Sequence, residues 1–268
     1  MPDATIRTDT YTLHRGRSPL LVSLPHDGSE IPAALAARMH EYAQAAPDTD
    51  WHVARLYAFV RDALGASMLV PRYSRYVVDL NRPPDDTSLY PGQNTTGLCP
   101  TRTFRGQPIY VEGEVPDEAE VQARVGTWWQ PYHAALSDEL TRLKATHGRV
   151  VLWEGHSIRG DDLPFLFDGR LPDLNLGTAG GASCTPSLQA RLESALAAQP
   201  AYDWVTNGRF KGGYITRHYG RPAQSVEAVQ MEISQRTYMD ERSGHYLPHA
   251  AASLQTLLGG LLRAAIAW

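Results

Sequence analysis

Short apolar runs alternate along this chain with segments of helical spacing, and this alternation restricts the possible folds more than any other feature. Predicted strands lie at residues 20–24, 68–70, 76–80, 150–153 and 225–233. Predicted helices lie at residues 31–46, 51–64, 116–147, 187–198 and 247–267. Strands that alternate with helices form mainly parallel sheets whose two faces are both covered. The sequence therefore predicts an α/β fold of this kind.

Composition limits the size and class of the protein. The chain has 268 residues, of which 43% are hydrophobic and 20% charged, so it can bury a large core. It shows no internal repeat and no low-complexity linker, and we expect a single domain over residues 1–268. The net charge of −4 argues against a nucleic-acid surface. Two cysteines cannot form a disulfide framework, which favours a reducing compartment.

Targeting and membrane signals point to the cytoplasm. Residues 1–17 contain no apolar core of signal-peptide length. The most apolar stretch, 250–268, is interrupted by Gln255, Gly259 and Arg263, and it predicts an amphipathic helix rather than a membrane span. We therefore expect a cytoplasmic protein without a membrane partner.

Polar residues follow three of the predicted strands. His26, the pair Asn81 and Arg82, and His156 each come just after a predicted strand. Ligands in open α/β sheets bind beyond the carboxyl ends of the strands. These residues are therefore expected to share one site at the edge of the sheet.

A metal site is one interpretation of two histidines at equivalent strand ends. A catalytic zinc site takes three protein ligands and a water, and His26 and His156 would supply two of them. The best third ligand is a carboxylate, and Asp48 or Asp50, Glu30 and Glu154 compete for this role. Asp48 and Asp50 also lie at the start of a predicted helix, where aspartate is an ordinary N-cap. The local pattern leaves both the ligand and the capping interpretation open.

Arginines accompany two irregular segments, 82–113 and 163–186, that are rich in glycine and proline. Irregular segments this long in a compact domain are usually functional. The arginines in or near them are Arg75, Arg82, Arg102, Arg105, Arg159, Arg209 and Arg217. In a net acidic protein they suggest a small anionic ligand that guanidinium groups bind. The amide of Asn81 beside Arg82 matches the two oxygens of a carboxylate.

Glu232 is a carboxylate inside an apolar predicted strand. In a central strand it would need a metal, a charge or a substrate nearby, and it could act as a general base. In an edge strand it would simply face water. A serine nucleophile at Ser157 is disfavoured, because Arg159 stands where the second glycine of a nucleophile elbow belongs.

Several longer segments together resemble the N-formylglutamate amidohydrolase family. The matching segments, in chain order between Leu20 and Met239, are residues 23–28, 48–52, 74–83, 155–159, 167–178, 207–220 and 230–233. The resemblance implies a three-layer α/β/α sandwich with a mixed, mainly parallel sheet, phosphorylase/hydrolase-like and distantly related to zinc carboxypeptidases and aspartoacylase. It also implies zinc-dependent hydrolysis of N-formyl-L-glutamate to L-glutamate and formate, the last step of a histidine degradation route. Co²⁺ or Fe²⁺ could replace Zn²⁺.

The resemblance also assigns roles to individual residues. His26 and His156 match metal ligands, whereas Ser29 stands where the relatives have a glutamate ligand. Asp50 is therefore the expected second ligand, and Glu30 is the second choice. The other implied roles are general base for Glu232, oxyanion stabilisation for Arg75 or Arg217, and substrate carboxylate binding for Asn81, Arg82, Arg209 and Arg159.

These roles imply a small anionic substrate, N-formyl-L-glutamate, as the partner. Two other functions stay open at this point. One is a zinc hydrolase for another N-acyl amino acid, or a carboxypeptidase-like enzyme. The other is a dicarboxylate-binding protein without catalysis. The sequence leaves the oligomeric state open.

Overall fold

The computed structural model describes residues 4–89, 92, 94–160, 163, 165–167 and 169–267. Within these residues the strands are β1 (Thr5–Arg7), β2 (Tyr11–His14), β3 (Leu20–Ser23), β4 (Ser67–Pro71), β5 (Val150–Ile158), β6 (Leu174–Gly177), β7 (Trp204–Thr206) and β8 (Val226–Ser234). The α-helices are α1 (Ala33–Ala36), α2 (Glu41–Gln44), α3 (Val53–Tyr57), α4 (Phe59–Leu64), α5 (Glu118–Arg124), α6 (Gln130–His147), α7 (Pro186–Ala197), α8 (Tyr214–Tyr219) and α9 (Pro248–Ile266). No helix in this part of the chain is long and apolar enough to cross a membrane.

The described strands form one mixed sheet in the order β1-β2-β4-β3-β5-β8-β6-β7. The four central strands, β4, β3, β5 and β8, are parallel to one another. Antiparallel pairs join β2 to β4 on one side and β6 to β8 on the other. The prediction of a mixed, mainly parallel sheet is confirmed.

Side chains of the central strands alternate between two faces, and each face packs on its own layer of helices. On β3, Leu20 and Val22 pack with α3, α4, α7 and α9, whereas Leu21 packs with α6 on the opposite side. On β5, Trp153 joins the first layer and Leu152 the second. We call these two sides the α9 face and the α6 face. The predicted three-layer α/β/α arrangement is confirmed.

The predicted helix 116–147 contains a π-helical turn. Asp117 caps α5 by accepting a hydrogen bond from the Glu120 N–H, and Val125–Trp129 then forms a π-helix that leads directly into α6. Trp129 Nε1–H donates to the carbonyl oxygen of Arg82 at 3.0 Å. The α5–α6 element therefore anchors the segment that carries Arg82.

The predicted single helix 31–46 is wrong. It is split into α1 and α2, because Met39 forms a bridge with Tyr110 and the His40 N–H donates to the carbonyl oxygen of Ile109. These tertiary hydrogen bonds with a distant loop override the helix propensity of an alanine-rich segment.

The predicted strand 76–80 is also wrong. This segment forms turns, and the Asp79 N–H donates to the carbonyl oxygen of Leu98 rather than to a neighbouring strand. Val77 belongs with Ile109 to a small separate hydrophobic cluster, which explains its apolar side chain. An apolar run of strand length thus forms a buried loop here.

Several short elements lie outside the predicted ones. They are β1, β2, β6, β7 and α8, which contain three to six residues each and lack a readable period. β6 lies inside the segment 163–186 that was predicted to be irregular. Within 82–113, positions 90, 91 and 93 lie outside the described residues, and the remaining positions contain turns and isolated bridges.

Candidate active site

The candidate site lies at the carboxyl ends of β5 and β8, on the α6 face. Apolar residues such as Leu152 occupy this face at the start of the strands and give way to polar residues further on. These are Glu154 and His156 on β5 and Gln230 and Glu232 on β8, all buried. Glu154 lies beside Gln230, and His156 beside Glu232, in the parallel pairing of the two strands. The sheet itself therefore places four polar side chains together.

The strand-end prediction is confirmed for one of its three positions. His26 follows β3 after two intervening residues. His156 lies inside β5, which is five residues longer than the predicted strand, and Asn81 and Arg82 follow a turn. Nevertheless His26, His156, Asn81 and Arg82 all line one cavity.

His26, Asp50 and His156 form a buried group that could bind a metal. One ligand atom from each residue lies within 4.8 Å of the other two. Asp50 Oδ2 is 2.9 Å from His156 Nδ1 and 3.8 Å from His26 Nδ1. Ligand atoms at zinc–ligand distances of 2.0–2.2 Å in a tetrahedral site are about 3.4 Å apart. The donor set and its spacing therefore fit a divalent metal.

Each histidine of this group also contacts a second buried carboxylate through its other ring nitrogen. His26 Nε2 is 2.7 Å from Asp79 Oδ1, and His156 Nε2 is 2.7 Å from Glu154 Oε1. A metal-binding histidine commonly donates its other N–H to a carboxylate, which fixes the ring and its tautomer. The two Nδ1 atoms are thus left facing Asp50.

The surroundings of the two rings shift their pKa values in opposite directions. Burial and the nearby Arg75 lower the pKa of His26, which favours the neutral ring. A neutral ring that donates its Nε2–H to Asp79 has its Nδ1 lone pair on the side of the Asp50 carboxylate. Although burial opposes it, hydrogen bonds to Asp50 and Glu154 raise the pKa of His156 well above its usual value. The carboxylates around His156 therefore favour a positive charge beside this ring, and a bound metal ion would supply one there.

Asp50 is oriented toward the histidines and does not cap the following helix with its side chain. Its backbone N–H donates to the carbonyl oxygen of His26, and Asp50 Oδ2 accepts from the Ser157 N–H at 3.0 Å. The helix α3 is capped instead by Asp27, whose Oδ1 accepts from the Ala54 N–H at 2.7 Å. The capping interpretation of Asp50 is therefore wrong.

The alternative third ligands lie in other positions. The Glu30 side chain is 54% exposed and pairs with Arg72. Glu154 contacts the ring nitrogen of His156 that faces away from Asp50. Ser157 Oγ accepts from the Tyr238 hydroxyl at 2.7 Å, so its environment is that of a structural hydroxyl rather than a nucleophile.

A cavity of about 600 Å³, including its open mouth, leads to the metal-binding group. Glu232 lies in its wall, and burial, only partly opposed by the neighbouring His156, raises the pKa of Glu232 to about 8. A metal cation nearby would favour the ionised carboxylate and lower this pKa again. Glu232 is thus a group that can exchange a proton near neutral pH.

Three arginines line the cavity: Arg75, Arg82 and Arg209. Arg75 is buried, pairs with Asp79 at 2.6 Å and lies 3.9 Å from Asp50. Arg209 Nε donates to the carbonyl oxygen of Leu166 at 3.0 Å, so it is fixed between irregular segments.

Arg159 and Arg217 lie elsewhere. Arg159 donates to the carbonyl oxygen of Glu241, and Arg217 Nε donates to that of Gly212. Neither belongs to the described residues that line the cavity. The structure therefore brings three of the five predicted site arginines together, counting within this lining.

The first turn of α8 connects several of these residues. The Ile215 N–H donates to Asn81 Oδ1, the Gly213 N–H to Gln230 Oε1, and the Thr216 N–H to Glu154 Oε2. A Cβ atom at position 213 would lie 2.3 Å from the Asn81 amide nitrogen, which explains the glycine. Side chains from the site thus satisfy the free N–H groups that begin a helix.

Three buried residues that contact the site, Asp79, Gln230 and Thr216, were not predicted from the sequence. Asp79 could have been found, because a fully buried aspartate in an apolar segment requires a partner. Thr216 carries no such signal, since its segment shows neither a period nor a motif that predicts a helix.

Comparisons with known proteins agree on one family. The family model described as N-formylglutamate amidohydrolase matches residues 18–239. N-formylglutamate deformylase of Pseudomonas aeruginosa is 51% identical over 261 residues, covering 97% of both chains. The deformylase of Pseudomonas putida is 49% identical, covering 96% of both chains. The crystal structure of N-formylglutamate amidohydrolase from Ralstonia eutropha superposes with a TM-score of 0.81 at 29% identity, covering 96% of this chain and 97% of that one.

Proposed function

Because the chain belongs to the N-formylglutamate amidohydrolase family, we propose that it hydrolyses N-formyl-L-glutamate to L-glutamate and formate. The reaction would take place in a single catalytic domain, with a divalent metal, most simply Zn²⁺, as cofactor. The observation that carries the metal requirement is the convergence of His26, Asp50 and His156 at the base of an arginine-lined cavity. When bound there, the metal would polarise the formyl carbonyl and lower the pKa of a bound water to about 7.

Glu232 is the proposed general base and acid. It lines the cavity beside His156 on the neighbouring strand, and its environment allows it to hold a proton near neutral pH. It would accept the proton of the attacking water and deliver it to the nitrogen of the departing amine. The proton would thus pass from water to the leaving group through one side chain.

Arg75 is the proposed stabiliser of the negative charge that develops on the formyl oxygen. Its guanidinium lies in the cavity wall, and its ion pair with Asp79 fixes it next to Asp50. A charge that is already oriented stabilises a transition state without reorganising during the reaction. Arg217, the other predicted candidate, lies outside the described cavity lining.

Arg82 and Arg209 are the proposed partners of the two substrate carboxylates. Arg82 donates three N–H groups to the carbonyl oxygens of Thr96 and Asn81 and to the Thr96 hydroxyl, within the described residues. A guanidinium has five N–H groups, so one remains on each terminal nitrogen toward a ligand. A pair of parallel N–H groups matches the oxygens of a carboxylate.

The direct test measures metal content and formate release on the same sample, purified without a chelator. We expect about one divalent metal per chain and formate released in step with glutamate. Removal of the metal by a chelator should abolish turnover, and Zn²⁺ should restore it. Full activity of metal-free protein would contradict the metal requirement. Preference for N-acetyl-L-glutamate or N-formyl-L-aspartate would instead indicate a different N-acyl amino acid substrate.

The variant Arg82→Lys tests the carboxylate assignment. Lysine keeps the charge but loses the planar pair of N–H groups. Loss of a charge-assisted hydrogen bond of about 1.5–3 kcal/mol should lower kcat/KM for N-formyl-L-glutamate about 10- to 100-fold. The loss should be smaller for whichever of N-formyl-L-glutamine and N-formyl-L-isoglutamine lacks the carboxylate that Arg82 contacts. Equal losses with all three substrates would show that Arg82 is structural.

We also place this reaction at the end of a histidine degradation route, as the family resemblance suggests. A strain that lacks the gene should then accumulate N-formylglutamate when it is fed histidine. Normal growth without that accumulation would remove the pathway assignment and leave the reaction unaffected.

A further inference from the structure

Glu154 connects a candidate metal ligand to the first turn of α8. Its Oε1 lies 2.7 Å from His156 Nε2. Its Oε2 accepts two hydrogen bonds from one residue, from the Thr216 N–H at 3.0 Å and from the Thr216 hydroxyl. Glu154 and Thr216 are both fully buried. The carboxylate is therefore held at one end and contacts the imidazole ring with the other.

We propose that Glu154 and Thr216 form a positioning pair that orients His156 for metal binding, an inference that rests on the proposed metal-dependent function. We call these two residues the Glu154–Thr216 pair. Neither residue belongs to the described cavity lining, so the pair would act through His156 and not on the substrate.

The orientation follows from how the ring nitrogens are shared. His156 Nε2 lies 2.7 Å from Glu154 Oε1 and 3.1 Å from the Asn81 amide nitrogen, and of these two atoms the carboxylate oxygen is the one that can accept an N–H. When His156 donates its Nε2–H to Glu154, Nδ1 faces Asp50 at 2.9 Å, where a metal would bind. Glu154 can hold the ring only if its own carboxylate does not rotate. Thr216 prevents this rotation, because its N–H and its hydroxyl both donate to Glu154 Oε2. Partners that orient a metal-binding histidine typically change metal affinity about 10- to 100-fold when they are mutated.

A second observation separates this pair from ordinary helix capping. Helix capping requires only the hydrogen bond from the Thr216 backbone N–H to Glu154. The Thr216 hydroxyl nevertheless donates to the same carboxylate oxygen. The hydroxyl can be removed without touching the backbone hydrogen bond. The side chain of Thr216 therefore provides a clean test.

Thr216→Val and Thr216→Ser are matched variants for this test. Valine has nearly the same shape as threonine but no hydroxyl, whereas serine retains the hydroxyl. We expect Thr216→Val to weaken Zn²⁺ binding about 10-fold, measured by competition with a chelator of known affinity. At saturating Zn²⁺ its kcat should stay within about threefold of the parent. Thr216→Ser should bind Zn²⁺ within about twofold of the parent.

Glu154→Gln tests the other member of the pair. A glutamine side chain keeps the size but presents an NH₂ group to either His156 or Thr216, so a donor meets a donor at one end. We expect Zn²⁺ binding to weaken by about 10- to 100-fold. Circular dichroism and thermal melting of both variants show whether the fold is intact.

The outcomes distinguish this inference from the proposed function. If the parent binds Zn²⁺ and Thr216→Val and Glu154→Gln bind it equally well, the positioning role is wrong and the metal-dependent function stands. Lower melting temperature with unchanged Zn²⁺ affinity would likewise assign the pair a structural role only. If the parent binds no divalent metal, both the proposed metal requirement and the positioning role are overturned.

Discussion

His156→Ala is expected to remove bound metal and nearly all hydrolysis of N-formyl-L-glutamate. The variant removes one of three converging ligand atoms and leaves Asp50 and Glu154 without the imidazole ring that both of them contact. Metal catalysis of this kind contributes several kcal/mol. Since about 1.4 kcal/mol corresponds to tenfold in rate, turnover should fall by at least about 10³-fold.

The measurement is metal content per chain together with single-turnover formate release. His245→Ala, which alters an exposed histidine outside the described cavity lining, serves as the matched control and should retain both. His26→Ala should behave like His156→Ala, because it removes the second imidazole of the group. Full Zn²⁺ occupancy in either variant would exclude that histidine from the ligand set.

Glu232→Gln is expected to keep the metal and lose turnover. The amide has the shape of the carboxylate but cannot accept the proton of the attacking water. Removal of a positioned acid–base group costs about 10²–10⁴-fold, and we expect a loss of kcat of at least about 10²-fold. Substrate affinity should be preserved, because Arg82 and Arg209 are unchanged.

Glu227→Gln is the matched control for this variant. Glu227 lies on the same strand, β8, and accepts hydrogen bonds from Thr185 instead of facing the cavity. Its amide should leave kcat within a few-fold of the parent. Metal loss in Glu232→Gln would make Glu232 a ligand, and a kcat near that of the parent would show that Glu232 is not the base.

The hydrophobic periodicity of the sequence was sufficient to predict the helix and sheet layers, but it was not sufficient to predict the loops. The period of the helix 116–147 and the apolar run of β8 correctly predicted two layers of the sandwich. The run 76–80 failed because burial in a loop cluster and burial in a sheet produce the same apolar pattern. β5 was predicted too short, since Glu154 and His156 interrupt its apolar run where it enters the site.

Site residues could be predicted from the sequence where the residue type seldom has another role at such a position. Two histidines near strand ends suggested a metal, and the buried group includes both. The choice between Asp50 and Glu30 could not be made from spacing alone, because it depends on which segment the tertiary fold brings beside β5. The family resemblance favoured Asp50, and the position of its side chain supports that choice.

The alternation of faces along β5 and β8 also protects the fold against misregistration. Side chains alternate between the two faces at every residue. A slip of one position along either strand would therefore move the polar site residues to the α9 face, where they would lie against the helix layer. Glu154 or Glu232 would then be a carboxyl group without a hydrogen-bond partner in a hydrocarbon layer, a placement that costs several kcal/mol. The misaligned sheet would be disfavoured by the same carboxylates that the site employs. The buried polar side chains of the candidate site thus also favour the correct pairing of β5 with its neighbours.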